Sequence, residues 1–112
     1  MYTYKSKVTK VYDGDTITVE VDLGFSFKFT NSFRLLRINC PEVRGESREE
    51  GLKSRDRLRE LIMDKEVIIK TQKDNTEKYG RYLAEVLVTV DGVEINVNDL
   101  LVTEGLAIYK TY

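Results

Sequence analysis

At 112 residues the chain can build one domain around a modest core, and 41% hydrophobic with 33% charged residues is an ordinary globular balance. With 18 basic against 19 acidic side chains the formal charge is −1, so contact with a polyanion must come from a local patch. There is no histidine, which excludes Ser-His triads, imidazole nucleases and histidine zinc sites, and the lone Cys40 excludes an internal disulfide. Met1 to Val8 carries no apolar signal core and no run could span a bilayer, so a cytoplasmic protein is expected.

Lys5 to Tyr12 reads as a strand, and Asp13-Gly14 is a turn signal after it. Thr16 to Leu23 alternates, with Ile17, Val19, Val21 and Leu23 on one face, as a half-buried strand does. Phe25, Phe27 and Phe29 continue the alternation toward a turn expected at Thr30-Asn31-Ser32. Phe33 to Ile38 is the third strand, with Arg34 on one face and Arg37 on the other, so either could reach a site. Pro41 ends that ladder.

After a polar loop at Val43 to Ser47, a helix is expected, with Ser47 and Glu50 at capping-box spacing. Its apolar stripe is Leu52, Leu58, Leu61 and Ile62. Glu66 to Gln72 is a strand, Lys73 to Gly80 a polar loop, and Tyr82 to Val90 a strand joined through Asp91-Gly92 to Val93 to Val97. Asn98 to Glu104 reads as a short helix capped by Gly105, and Leu106 to Tyr109 as a last extended segment. Several strands with a helix inserted after the third point to a single domain over residues 1–112, a small barrel with helices packed on it.

Three polar knots fall at strand ends: Asp13-Gly14-Asp15-Thr16, Arg34 to Glu42, and Lys78-Tyr79-Gly80-Arg81. Strand ends distant in sequence can converge in space, and carboxylates, an amide and arginines brought together suit a metal ion plus a phosphate. Singly, each knot has a plainer reading: a turn, an edge-strand cation, a loop acid. Cys40 reads as a small apolar side chain, since no histidine is present to activate it. Phe25, Phe27 and Phe29 could form a contact surface, though barrel core or rim is the simpler reading.

In this order the knots resemble staphylococcal nuclease, whose family shows Asp-Gly-Asp-Thr, Arg-Leu-x-x-x-Asp-x-Pro-Glu and Lys-Tyr-Gly-Arg-x-Leu-Ala. Val97 to Val102 leading to Gly105-Leu106-Ala107 is also similar, so the likeness covers nearly the whole chain. It implies an OB-fold, a five-stranded barrel with an inserted helix after the third strand and a short C-terminal helix. It implies a calcium-dependent endonuclease that hydrolyses phosphodiesters of DNA and/or RNA with low sequence preference. Residue by residue, the resemblance makes Asp15, Asn39 and the Cys40 backbone carbonyl the calcium ligands, and Arg34, Glu42 and Arg81 the catalytic set. Glu42 would be the general base or water orienter, and the arginines would take phosphate oxygens. Lys78 and Tyr79 match positions near a bound phosphate, and Tyr109 or Tyr112 the base-stacking position.

The chain departs from the prototype in four ways. Asn39 replaces a second aspartate, the hairpin between Thr16 and Arg34 is longer, the last helix is absent, and the charge is less basic. Loss of one ligand charge predicts weaker calcium affinity with the site retained. Together with the low basic charge it also supports an alternative, a non-catalytic OB module that binds nucleic acid or protein.

Overall fold

The computed structural model describes residues 2–76 and 78–110, without the side chains of 73–75. Strands β1 (Tyr2–Asp13), β2 (Thr16–Asp22) and β3 (Lys28–Leu35) form an antiparallel meander, followed by the short β4 (Ile38–Asn39). A 3₁₀ turn at Gly45–Ser47 leads into α1 (Arg48–Ile62). Then come β5 (Glu66–Thr76), β6 (Tyr82–Val90), β7 (Val93–Asn96), α2 (Val97–Thr103) and β8 (Ile108–Tyr109).

The main sheet runs β3-β2-β1-β5-β6-β7, and a parallel pairing of β3 with β6 closes it. The result is the expected closed barrel of five strands, β1, β2, β3, β6 and β5, with β7 as an extension of β6 and β4–β8 as a separate ribbon. Closure leaves the barrel's strands without a continuous free edge.

Alternation explains most of the interior. Ile17, Val19 and Val21 point inward from β2, as do Val67 and Ile69 from β5. On β1, Val8 and Val11 are both fully buried although three residues apart. A register shift between Val8 and Lys10 accounts for this, and a second between Val11 and Asp13 re-aims the strand end. Helix α1 lays Leu58, Leu61 and Ile62 on the barrel, each burial worth about 1.5–3 kcal/mol.

Asn98 of α2 is fully buried and seals the closing seam. Its amide donates to the Leu36 and Ala84 carbonyls at 2.8 and 3.2 Å, and its oxygen accepts from the Val86 N–H at 3.1 Å. Gly105 ends the helix at φ +76°, where the Leu106 N–H reaches the Leu101 carbonyl.

Four local expectations are corrected. The turn expected at Thr30-Asn31-Ser32 is strand, because the chain has already reversed at Gly24 to Phe27, where the Phe27 N–H donates to the Gly24 carbonyl at 2.9 Å. The strand expected to reach Ile38 ends at Leu35, since Arg37 adopts φ +69° and turns the chain before β4. The strand expected to stop at Gln72 runs to Thr76. Ser47 makes no cap to Glu50; its hydroxyl donates instead to the Glu42 carbonyl at 3.0 Å. Among the described residues no helix is long and apolar enough to cross a membrane.

Candidate active site

One open cleft of about 1650 Å³ lies over the β1–β2 turn, the end of β3 and the start of β6. Asp15, Arg34, Asn39, Cys40, Glu42, Lys78, Tyr79, Arg81 and Tyr109 all line it, so the three knots and the C-terminal tyrosine meet. Tyr112, the other tyrosine considered for stacking, lies outside the described residues. Basic lining residues are Arg34, Arg37, Arg44, Lys78, Arg81 and Lys110, against Asp13, Asp15, Glu42 and Glu85. Six cations to four acids make the cleft net basic in a chain whose total is −1. This is the local patch that a polyanion requires.

The centre is a buried ion pair. Asp15 Oδ2 stands 2.7 Å from Arg34 Nη1, with the two side chains 9% and 8% exposed. The Cys40 N–H donates to the same oxygen at 2.8 Å, and Arg34 Nη2 donates to Asn39 Oδ1 at 2.8 Å. One guanidinium therefore orders a carboxylate and an amide oxygen from two different knots, in the planar geometry suited to arginine. Arg81 sits alongside, donating to the Thr16 hydroxyl at 2.9 Å. Its guanidinium lies 5.5 Å from the Tyr79 ring, with the Lys78 ammonium 5.0 Å from the same ring.

Two glycines let the pieces approach. A Cβ on Gly14 would meet Ser54 Cβ at 2.7 Å and Cys40 Sγ at 2.8 Å. A Cβ on Gly51 would stand 2.1 Å from the Glu42 carbonyl oxygen. The loop that carries Glu42 is thus pressed on α1 and tied by Ser47, while the Glu42 side chain itself is 75% exposed to the cleft side. Ser54 braces this helix by donating to the Leu106 carbonyl at 2.6 Å. Burial, then the nearby Asp15 and Asp13 charges, push the Cys40 thiol up to about 12, so it is a packing group at neutral pH.

A family description, staphylococcal nuclease homologue, matches residues 32–112. The chain belongs to this family. It is 32% identical to a micrococcal nuclease of Shigella flexneri over 97% of its own length and 60% of that protein's. It is 31% identical to an uncharacterized protein of Methanocaldococcus jannaschii over 93% of this chain and 58% of that protein. A third relative, the protein ParB of Escherichia coli, is 32% identical over 92% of this chain and 55% of its own length. The chain therefore spans less than two thirds of each of these relatives.

Calcium is the metal that the nuclease family implies, and the oxygens present fit it in kind. Asp15, the Asn39 amide and the Cys40 carbonyl offer hard oxygen donors with no thiolate or imidazole among them. Asp15 Oδ1 accepts a long 3.4 Å bond from the Thr16 hydroxyl, a contact a cation could replace. Asp13 adds a second carboxyl, held in place by the Asp15 N–H at 3.1 Å. Burial first, then the hydrogen bond and charge of the adjacent Asp15, push it up to about 6. Among the described residues no three acidic, histidine or cysteine side chains converge as a cage, so amide and carbonyl oxygens have to complete the set.

Sequence reasoning passed over a second cluster on the nuclease-family cleft. Arg37, left open against Arg34, forms ion pairs with Glu85 and, at 3.1 Å, Asp99. Asp99 also accepts the Tyr109 hydroxyl at 3.0 Å, and the Arg37 guanidinium lies 5.9 Å from that ring. Burial pushes Glu85 up, but hydrogen bonds from Arg37 and Asn96 outweigh it and hold the carboxyl below its usual range. This cluster joins the turn between β3 and β4 to β6, α2 and β8, and the only sequence signal was the opposite face of the third strand. Tyr12, Arg44 and Lys110, each lying just outside a motif or candidate residue, were also passed over.

Proposed function

We propose that the chain is a calcium-dependent endonuclease that hydrolyses phosphodiester bonds of DNA and/or RNA with little sequence preference, residues 1–112 acting as one domain. The observation that carries this reading is the meeting of a buried Asp15–Arg34–Asn39 constellation with Arg81 and Glu42 in one net-basic cleft.

In this reading Asp15, Asn39 and the Cys40 carbonyl hold calcium, which supplies Lewis-acid stabilisation of the phosphate when bound. Arg34 would bind phosphate oxygens with the same fork that here holds Asp15 and Asn39. Arg81, alongside, binds the same phosphate, and each charge-assisted contact is worth about 1.5–3 kcal/mol. The part of that gain realised only as charge develops at phosphorus raises the rate. Glu42 takes the proton of the attacking water, and its exposed side chain on a fixed backbone leaves room for that water. Lys78 and Tyr79 line the phosphate path, and Tyr109, oriented by Asp99 and Arg37, stacks on a base.

A second reading, a non-catalytic module that binds nucleic acid, is favoured by Asn39 standing where an acid is expected. Cleavage of single-stranded DNA and RNA with calcium, magnesium or chelator separates the two. The nuclease reading expects calcium-dependent cleavage that Glu42→Gln or Arg81→Ala lowers by orders of magnitude. Wild-type-like cleavage by Glu42→Gln would remove the mechanism. Binding without cleavage at millimolar calcium would leave the module.

A further inference from the structure

The hairpin between β2 and β3 is built in a way the cleft does not explain. Its tip is Phe25, 97% exposed, with Phe27 and Phe29 at 69% and 37% behind it. Phe25 and Ser26 have φ of +53° and +66°, and the Phe27 N–H bonds the Gly24 carbonyl across them. That is a type I′ reversal, which asparagine and glycine enter cheaply and a bulky aromatic residue does not. The tip is nonetheless well fixed, since Asp22 accepts the Gly24 N–H at 2.8 Å. An apolar ring in the costliest position, fully in water, calls for a partner.

At the base of the same hairpin lies a cup of about 300 Å³, lined by Tyr4, Leu23, Phe29, Phe33, Ile69 and Tyr82 among others. Its rings are already arranged edge to face, Phe29 against Tyr82 at 5.9 Å, as an aromatic receptor would be. Among the described residues no lysine or arginine lines it, and Gln72 alone is common to cup and cleft. A nucleic-acid strand would meet no cation there, so an apolar protein group is the better occupant. Among the described residues Lys28 to Ser32 pair only with β2, which leaves one side of that strand open for contact as well.

We propose that a second copy of this chain is that occupant: Phe25 of each copy enters the aromatic cup of the other about a two-fold axis. Knob and hole sit on one hairpin, so a single isologous contact fills both cups at once. With half-exposed Leu23 and Tyr2, the three phenylalanines offer on the order of 500 Å² of apolar surface per copy, at roughly 200 Å² for a whole ring. A pair thus reaches about 1,000 Å², the lower bound for a specific interface.

Sedimentation velocity over a concentration series tests this with the whole chain. The expected result is a mass rising from 13.0 kDa to twice that value as concentration increases. Phe25→Asn, which suits the left-handed turn, should stay monomeric with an unchanged or higher melting temperature. Leu23→Lys, which spoils the cup from an exposed position, should also stay monomeric. A wild-type chain monomeric throughout the series overturns the proposal, and so does a Phe25→Asn variant that dimerises as well as wild type. If wild type is monomeric and Phe25→Asn instead weakens oligonucleotide binding, the hairpin serves nucleic acid and the proposal falls.

Discussion

Gly51→Ala tests what seats Glu42. In an ordinary helix interior this change stabilises by about 1 kcal/mol. Here the new Cβ would stand 2.1 Å from the Glu42 oxygen, 2.5 Å from its carbonyl carbon and 2.8 Å from the Val43 nitrogen. Ordinary contact begins at 3.4 Å, so loop and helix must separate by more than an ångström. Both surfaces are backbone, and no rotamer change can absorb the collision. Overpacking costs about 1–3 kcal/mol, which cancels or exceeds the helix gain. The expected net is a loss of about 1 kcal/mol, a fall of roughly 4 °C in Tm. If Glu42 is the base proposed above, the larger effect is on rate: a displacement of ~1 Å in such a group costs about 10²-fold. We therefore expect kcat for single-stranded DNA to fall about 100-fold with KM little changed, since Arg34 and Arg81 lie on other elements. Calcium-dependent cleavage and thermal unfolding, measured on the same preparation, read both quantities. A raised Tm with undiminished cleavage would refute the reasoning, because the helix would then be free to gain from alanine without moving Glu42.

Arg34→Met leaves the buried Asp15 carboxylate without its cation and should destabilise the chelated protein by about 3–5 kcal/mol. Calcium should restore part of that loss in a thermal melt, and an absence of calcium-dependent recovery would argue against Asp15 as a ligand. Asn39→Asp should tighten calcium binding in a calorimetric titration; unchanged or weaker binding would exclude Asn39 from the ligand set. Asn98→Ala removes three hydrogen bonds to buried backbone groups, of which the Ala84 carbonyl keeps the Leu36 N–H, and should cost about 2 kcal/mol or more in denaturant unfolding. Glu85 is held below its ordinary value of 4.5, so its ionised form stabilises the fold above that pH and loses its effect as pH falls through the depressed value. The stability gap between wild type and Glu85→Gln should accordingly be widest near neutrality and shrink on acidification below 4.5; a gap constant with pH would show that the charge is not what matters.

Much of this architecture could be read from local pattern. Ile17, Val19 and Val21 alternate without interruption, so β2 and its buried face were legible, as were the Asp91-Gly92 reversal and the Gly105 cap. The three knots were legible because each is a compact run of turn and charged residues at a strand end. What escaped depends on contacts between distant segments. The shift after Val8, the fit of Gly51 against Glu42 and the bond from Ser54 to Leu106 have no periodicity to announce them. Ser47 and Glu50 had correct spacing for a cap, but the Glu42 carbonyl offered the serine hydroxyl a tertiary partner. Arg37 could not be assigned to a face by counting in twos, because its own positive φ breaks the count. The aromatic hairpin misled for a similar reason: Thr30-Asn31-Ser32 has turn composition, yet the reversal occurs at Phe25-Ser26, where composition argues against it.

The parallel seam has a consequence for when the cleft comes into being. Arg34 is in register with Leu83, and Phe33 with Tyr82, so Arg34 lies in the pairing that closes the barrel and Arg81 immediately beside it. The lock on that seam, Asn98, comes after every barrel strand in the chain, and Leu106, which braces α1, follows it. A partly synthesised or partly unfolded chain can hold the β1–β2–β3 meander and still have no cleft. Contacts of such long sequence separation are slow to form and are gained together. Whatever chemistry the cleft performs is thus withheld until the seam between β3 and β6 has closed.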